Sequence, residues 1–210
     1  MKKALSLIIA IVMAFSICVS ASAAEPTSDW IEGAVEIKEI SFEEAVAKRM
    51  KHDGISYEAA KANLLEEEKR LLSGIQTRGI SRSNIIQYYD YEKNFTYSKN
   101  ENFICALCAT IRTFLDDGST RYIDAVYDES IRRISGTGNY EWVNLSDAWS
   151  EIAVGRRSVD IGGKGYFQVT TTTSSGVSGS LPGFEVSGTV GSSTIYQSET
   201  ISPRATYYAS

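Results

Sequence analysis

Apolar positions along this chain change their rhythm once, near Gly79. Between Glu25 and Gly79 they recur at helical spacing in a run rich in Glu, Lys, Ala and Leu. Ser41 followed three residues later by Glu44 makes a capping box, and Ile40 can staple onto Ala45 across it. Phe42, Ala45, Val46, Arg49 and Met50 then share one helical face, and Asp53-Gly54 ends the helix. Ser56 caps a second helix with a broad stripe of Tyr57, Ala60, Leu64, Leu65, Glu68, Leu71 and Leu72, stopped by Gly74. The pattern predicts two helices joined by a tight turn within residues 24–79.

After Gly79 the rhythm is that of strands. From Ile85 to Tyr97 the odd positions are mostly apolar or aromatic and the even ones mainly polar, which predicts one or two strands with an aromatic inner face. Phe103, Cys105, Leu107, Ala109, Ile111 and Leu115 form a second alternating face. Asp116-Asp117-Gly118 reads as a hairpin turn onto a partner strand with Ile123, Ala125, Tyr127 and Ile131. Further strands are predicted at 140–143, 152–159, 165–173, 184–190, 194–200 and 206–208, with Gly162-Gly163-Lys164-Gly165 as a glycine turn. So many short strands point to a mainly β fold: an antiparallel β-sandwich over 80–210, with a barrel as the alternative, preceded by a short helical hairpin. Because the two regions carry separate hydrophobic patterns, 81–210 is expected to fold without the hairpin.

The first residues add a compartment to this picture. Lys2 and Lys3 precede an uncharged apolar run from Ala4 to Val19, and Ala21 and Ala23 form an A-x-A cleavage site. Residues 1–23 therefore read as a cleavable signal peptide, and the mature chain is expected to be secreted and extracellular, with no membrane span. Losing Lys2 and Lys3 reduces 21 basic residues to 19 against 26 acidic ones. That balance argues against nucleic acid as a partner, since phosphate binding needs clustered Lys and Arg. The same reasoning removes a DNA-binding reading of the hairpin, whose second helix carries Glu66-Glu67-Glu68.

Candidate chemistry is sparse. Of three cysteines Cys18 leaves with the signal, and His52 is the only histidine. Cys105-Ala106-Leu107-Cys108 has redox spacing but lies in a strand pattern. Residues three apart on a strand point to opposite faces and are separated by roughly 10 Å, too far for a disulfide. Cys105 therefore reads as a small core residue and Cys108 as the more accessible, candidate reactive thiol. No second ligand pair accompanies these thiols, so no metal and no cofactor is expected. A nucleophile elbow is lacking, and His52 reads as a helix C-terminal residue. Trp142 and Trp149 remain as candidates for a sugar- or peptide-binding platform.

The layout resembles that of small exported bacterial proteins, and no motif in it carries an activity. These observations lead to the expectation of a secreted noncatalytic binding or structural protein with a surface, glycan or protein partner. Two other classes compete: a secreted hydrolase using carboxylates, and an exported toxin or bacteriocin-like effector. A cleft of convergent Asp and Glu in the β domain favours the hydrolase, and a flat sheet face with exposed aromatics favours the binder.

Overall fold

A computed structural model describes residues 30–73, 85–116, 120–134, 140–172 and 181–209. The predicted signal peptide, the predicted helix stop at Gly74, and Asp117 and Gly118 of the predicted hairpin turn lie outside the described residues.

The helices form where their punctuation placed them. The capping box is complete at the start of α1 (Phe42–Asp53): Ser41 Oγ accepts from Glu44 N at 3.2 Å, and Glu44 Oε2 accepts from Ser41 N at 2.8 Å. Gly54 ends this helix in the left-handed region at φ 65°, a conformation that costs glycine little. The Ser56 hydroxyl then accepts from Ala59 N at 3.2 Å, opening α2 (Tyr57–Ser73). The chain ahead of the helices is not helical. Trp30–Ile40 is a strand, β1, antiparallel to β2 (Ile86–Tyr97). Its side chains are exposed on both faces except near its ends, so it has no one-sided apolar stripe to announce it.

The first sheet continues from β2 to β3 (Ile104–Asp116) and β4 (Thr120–Arg133), in the order β1-β2-β3-β4. The second contains β5 (Tyr140–Ile152), β6 (Ser158–Thr172), β7 (Phe184–Val190), β8 (Ser193–Ser198) and β9 (Arg204–Tyr208). Its order is β5-β6-β8-β7, with β9 beside β8 on β6. All pairings are antiparallel, and the two sheets do not close into a barrel.

Two cores give the molecule three layers. Tyr91, Phe95, Leu107 and Ile111 on the inner face of the first sheet pack with Val159, Ile161, Phe167 and Tyr207 of the second. Aromatic rings meet edge-on across this interface, as Tyr91 and Tyr207 do at 6.0 Å. The outer face of the first sheet carries the helices: Ala45, Val46, Ala60 and Leu64 bury against Ile86, Tyr88 and Phe114. Full burial of a side chain such as Val46 or Leu64 contributes roughly 1.5–3 kcal/mol. Glu68 belongs to the buried helical stripe because Tyr88 Oη donates to its Oε1 at 2.9 Å.

One stretch of strand was misplaced by its composition. The predicted strand 152–159 is the end of β5, a turn, and the start of β6. Arg156 N donates to Ala153 O at 2.7 Å in that turn, with Arg156 itself at φ 54°. The predicted glycine turn, Gly162 to Gly165, lies in the middle of β6. The glycines serve packing: a Cβ on Gly162 would come within 2.6 Å of Trp149 Cζ2, and one on Gly165 within 2.5 Å of Val143 O and against the Trp142 ring.

Candidate ligand cleft

The outer face of the first sheet is only partly covered, and its uncovered part is polar. Lys48, Lys51 and His52 of α1 overhang Asp90 and Glu92 of β2, Cys108 and Thr110 of β3, and Asp128, Ser130 and Arg132 of β4. Between them lies a cleft of about 340 Å³. A hollow of about 540 Å³ runs along β7 and β8, with Lys99, Glu185, Gln197 and Glu199 in its lining. Only the first gathers the sole histidine, the more exposed thiol and a carboxylate, Asp128, with one oxygen buried.

Asp128 reaches this cleft through a bulge. Cys108 pairs with Ser130 and Thr110 with Tyr127, so Asp128 and Glu129 both stand opposite Ala109. Asp128 takes φ 57°, a left-handed conformation that Asp and Asn tolerate better than most residues. Regular alternation beyond Tyr127 would send Asp128 toward the inner core. The bulge instead leaves it on the cleft face, while Glu129 accepts from Ser150 Oγ at 2.5 Å. Thr110 Oγ1 donates to Asp128 Oδ2 at 3.1 Å, and Oδ1 is buried without a hydrogen-bond partner among the described residues. Burial pushes this carboxyl group above its ordinary range, against the opposing pull of Thr110, His52, Lys48 and Arg49.

The other charges of the cleft are mostly paired. Lys48 Nζ lies 2.6 Å from Asp90 Oδ1, and Arg132 Nη2 lies 2.5 Å from Glu92 Oε2. Arg132 Nε also donates to Cys108 Sγ at 3.3 Å. His52 Nδ1 stands 3.0 Å from Asp53 Oδ1 and 3.7 Å from Asp128 Oδ1. Lys51 has no ion-pair partner among the described residues. Beside the cleft, Arg112 ties α2 to the sheet through Glu67 at 3.0 Å and through Asp124, and Tyr127 Oη donates to Glu67 Oε2 at 2.7 Å. That network runs on through Asp124 Oδ1 to Arg156 at 2.9 Å and fixes α2 against the sheet.

Of the residues singled out by sequence as candidate sites, the structure brings only Cys108 into this cleft. Cys105 is buried in the inter-sheet core, and both cysteines are free. Burial pushes the Cys105 thiol up to about 12. Burial also raises Cys108, more than the neighbouring Arg132 lowers it. A nucleophilic thiol requires the opposite shift. Trp142 and Trp149 do not share a face. Trp142 is opposite Phe167 and packs against its ring at 5.1 Å on the core side, whereas Trp149 is opposite Gly162 on the outer side. There Arg204 lies over the Trp149 ring at 5.7 Å. Asp128 was missed because its position depends on a bulge, and nothing in the alternation near Tyr127 marks one.

The fold and the cleft thus define a helix-capped, two-sheet antiparallel protein with a mixed-charge recess between its first two layers. The chain matches no family model, no curated protein and no solved structure.

Proposed function

We propose that this chain is a secreted noncatalytic binding protein whose ligand enters the cleft between α1 and the first sheet. The observation that carries the proposal is Asp128 Oδ1, a buried acceptor with no hydrogen-bond partner among the described residues, on a residue that a bulge leaves in the cleft lining. Buried polar groups in folded proteins nearly always find a partner, and one left open beside a cleft is suited to a ligand donor. The complementary group is a cation with N–H donors, an amine or guanidinium, on a small molecule or on the side chain of a protein partner. Lys51 at the rim supplies a contact for an anionic part of the same ligand. The signal sequence supports an extracellular site of action.

A second reading, the secreted hydrolase, draws on the convergence of Asp90, Glu92 and Asp128 on one cleft. Asp128, raised by burial, has the character of a general acid. Asp90 and Glu92 are each engaged by a cation, which weighs against either as its base and leaves His52, 3.7 Å from Asp128, as the group this reading would need.

The test is a thermal-shift series with agmatine, ethylenediamine and lysine amide as probes and 1-butanol as the uncharged control. The amines raise Tm of the wild-type protein in a saturable way, the control does not, and Asp128→Asn loses the response. Equal responses in wild type and Asp128→Asn would place binding elsewhere. Turnover of peptide or glycan substrates that Asp128→Asn abolishes would favour the hydrolase.

A further inference from the structure

We infer that β1 is a self-association edge: two copies of this chain join antiparallel through their β1 strands, with Ile37 on the two-fold axis, into one continuous eight-stranded sheet. Among the described residues, the first sheet ends at β1 with no strand on its outer side. The helices are tied to β2, β3 and β4, through Lys48 to Asp90, Glu67 to Arg112 and Tyr127, and Arg49 over the Tyr127 ring. An open strand edge is a template for another strand, and proteins that stay monomeric blunt it. The irregularity of β1 at Gly33 blunts only its first half. From Val35 to Ile40 the strand is regular, and Val35 and Ile37 are half exposed.

The charges of this regular segment favour one partner and one register. Glu36 stands opposite Glu92, a like charge already held by Arg132, and has no partner of its own among the described residues. Lys38 stands opposite Asp90, which Lys48 occupies, and has only a loose contact of 3.9 Å with Glu44. Both charges are therefore poorly compensated within one chain. A two-fold axis normal to the sheet pairs residues of the same face. Centred on Glu36 it places Glu36 against Glu36 of the second copy, and centred on Lys38 it opposes two lysines. Centred on Ile37, it places each Glu36 against the other copy's Lys38, twice, and stacks the two Ile37 side chains on the opposite face. Directly opposed unlike charges and apolar pairs stabilise adjacent strands, and like charges destabilise them. The occupant that fits this edge is thus a second copy of the same chain.

Sedimentation velocity over a concentration series tests the inference, using surface substitutions that leave both cores intact. Wild type sediments as a dimer. Glu36→Lys sets lysine against lysine at both cross-strand contacts, Lys38→Glu sets glutamate against glutamate at both, and each weakens the dimer about tenfold or more. An equimolar mixture of these two variants is complementary at both contacts and recovers the dimer, as does the double variant Glu36→Lys/Lys38→Glu. A wild type that stays monomeric throughout the series overturns the inference. So do single variants that associate like wild type, or a mixture no more associated than its components. Glu36 and Lys38 are not among the residues that line the cleft, but they stand opposite Glu92 and Asp90, which are, so an agmatine thermal shift on each variant reads the ligand proposal separately from the oligomeric state.

Discussion

Asp128 Oδ1 lies 3.7 Å from Nδ1 of His52, the only histidine of the chain, so the bulge of β4 and the last turn of α1 meet across one cleft. The distance is too long for a hydrogen bond. It leaves the buried carboxylate oxygen without a hydrogen bond among the described residues while keeping an imidazole close enough to bias its charge.

Asp128→Asn is predicted to stabilise the free protein at neutral pH and to flatten part of its pH dependence. The native carboxyl group titrates above its unfolded value of about 3.9, so the folded state binds more protons in the interval between the two values. Stability contributed by this group is complete below the unfolded value and is lost as pH rises through the raised native one. Asparagine keeps the left-handed backbone and the Thr110 bond without the buried charge. Urea unfolding of both proteins from pH 4 to pH 7 checks this: the variant's advantage should grow with pH. An advantage that shrinks over that interval contradicts the raised carboxyl group.

The two cysteines are predicted to behave differently. Cys105 sits in the inter-sheet core at 1% exposure, so Cys105→Ala should cost of order 1 kcal/mol or more through lost packing. Cys108→Ser should be nearly neutral, and Cys108 should alkylate first. Mass spectrometry after alkylation without reductant reads the order of labelling, and urea unfolding reads the two stabilities. An intramolecular disulfide would mean that β3 is interrupted between the thiols.

Gly165→Ala is predicted to destabilise the protein by about 1–3 kcal/mol, because the added methyl group meets Val143 O and the Trp142 ring. Gly162→Ala should displace Trp149 instead and shift tryptophan fluorescence. Denaturant unfolding followed by fluorescence distinguishes the two. Neutral behaviour of both variants would argue that the indoles do not lie on these glycines.

The relation between the two predicted regions yields another test. Their hydrophobic patterns look separate, yet Ile40, Val46 and Leu64 form one cluster with Ile86, Tyr88 and Phe114, and β1 pairs with β2 along its length. A chain starting at Gly79 should therefore melt at least several degrees lower than the whole protein and bind the hydrophobic dye ANS. An unchanged melt would show that the sheets are self-sufficient, as their sequence pattern alone suggests.

Sequence legibility followed unbroken periodicity. Each helix buries one periodic face, and β2 and β3, although buried on both faces, keep an alternating row of aromatic or apolar residues on the inner one, so their patterns mark them within a residue or two. β1 is exposed on both faces, so its alternation carries no burial signal. The glycines of β6 resemble a turn because their purpose is to admit Trp142 and Trp149 from the neighbouring strand, a relation between residues distant in sequence. The cleft was hidden for the same reason. Its lining comes from four elements, and its central carboxylate depends on a bulge that shifts one residue off the regular alternation.

The most direct test of the cleft as a ligand site is an amide chemical-shift titration of the protein with agmatine. The account predicts saturable shifts concentrated at 48–52, 108–110 and 128–132, absent with 1-butanol and lost in Asp128→Asn. Saturable shifts confined to other surfaces, or identical titrations of wild type and Asp128→Asn, would contradict it.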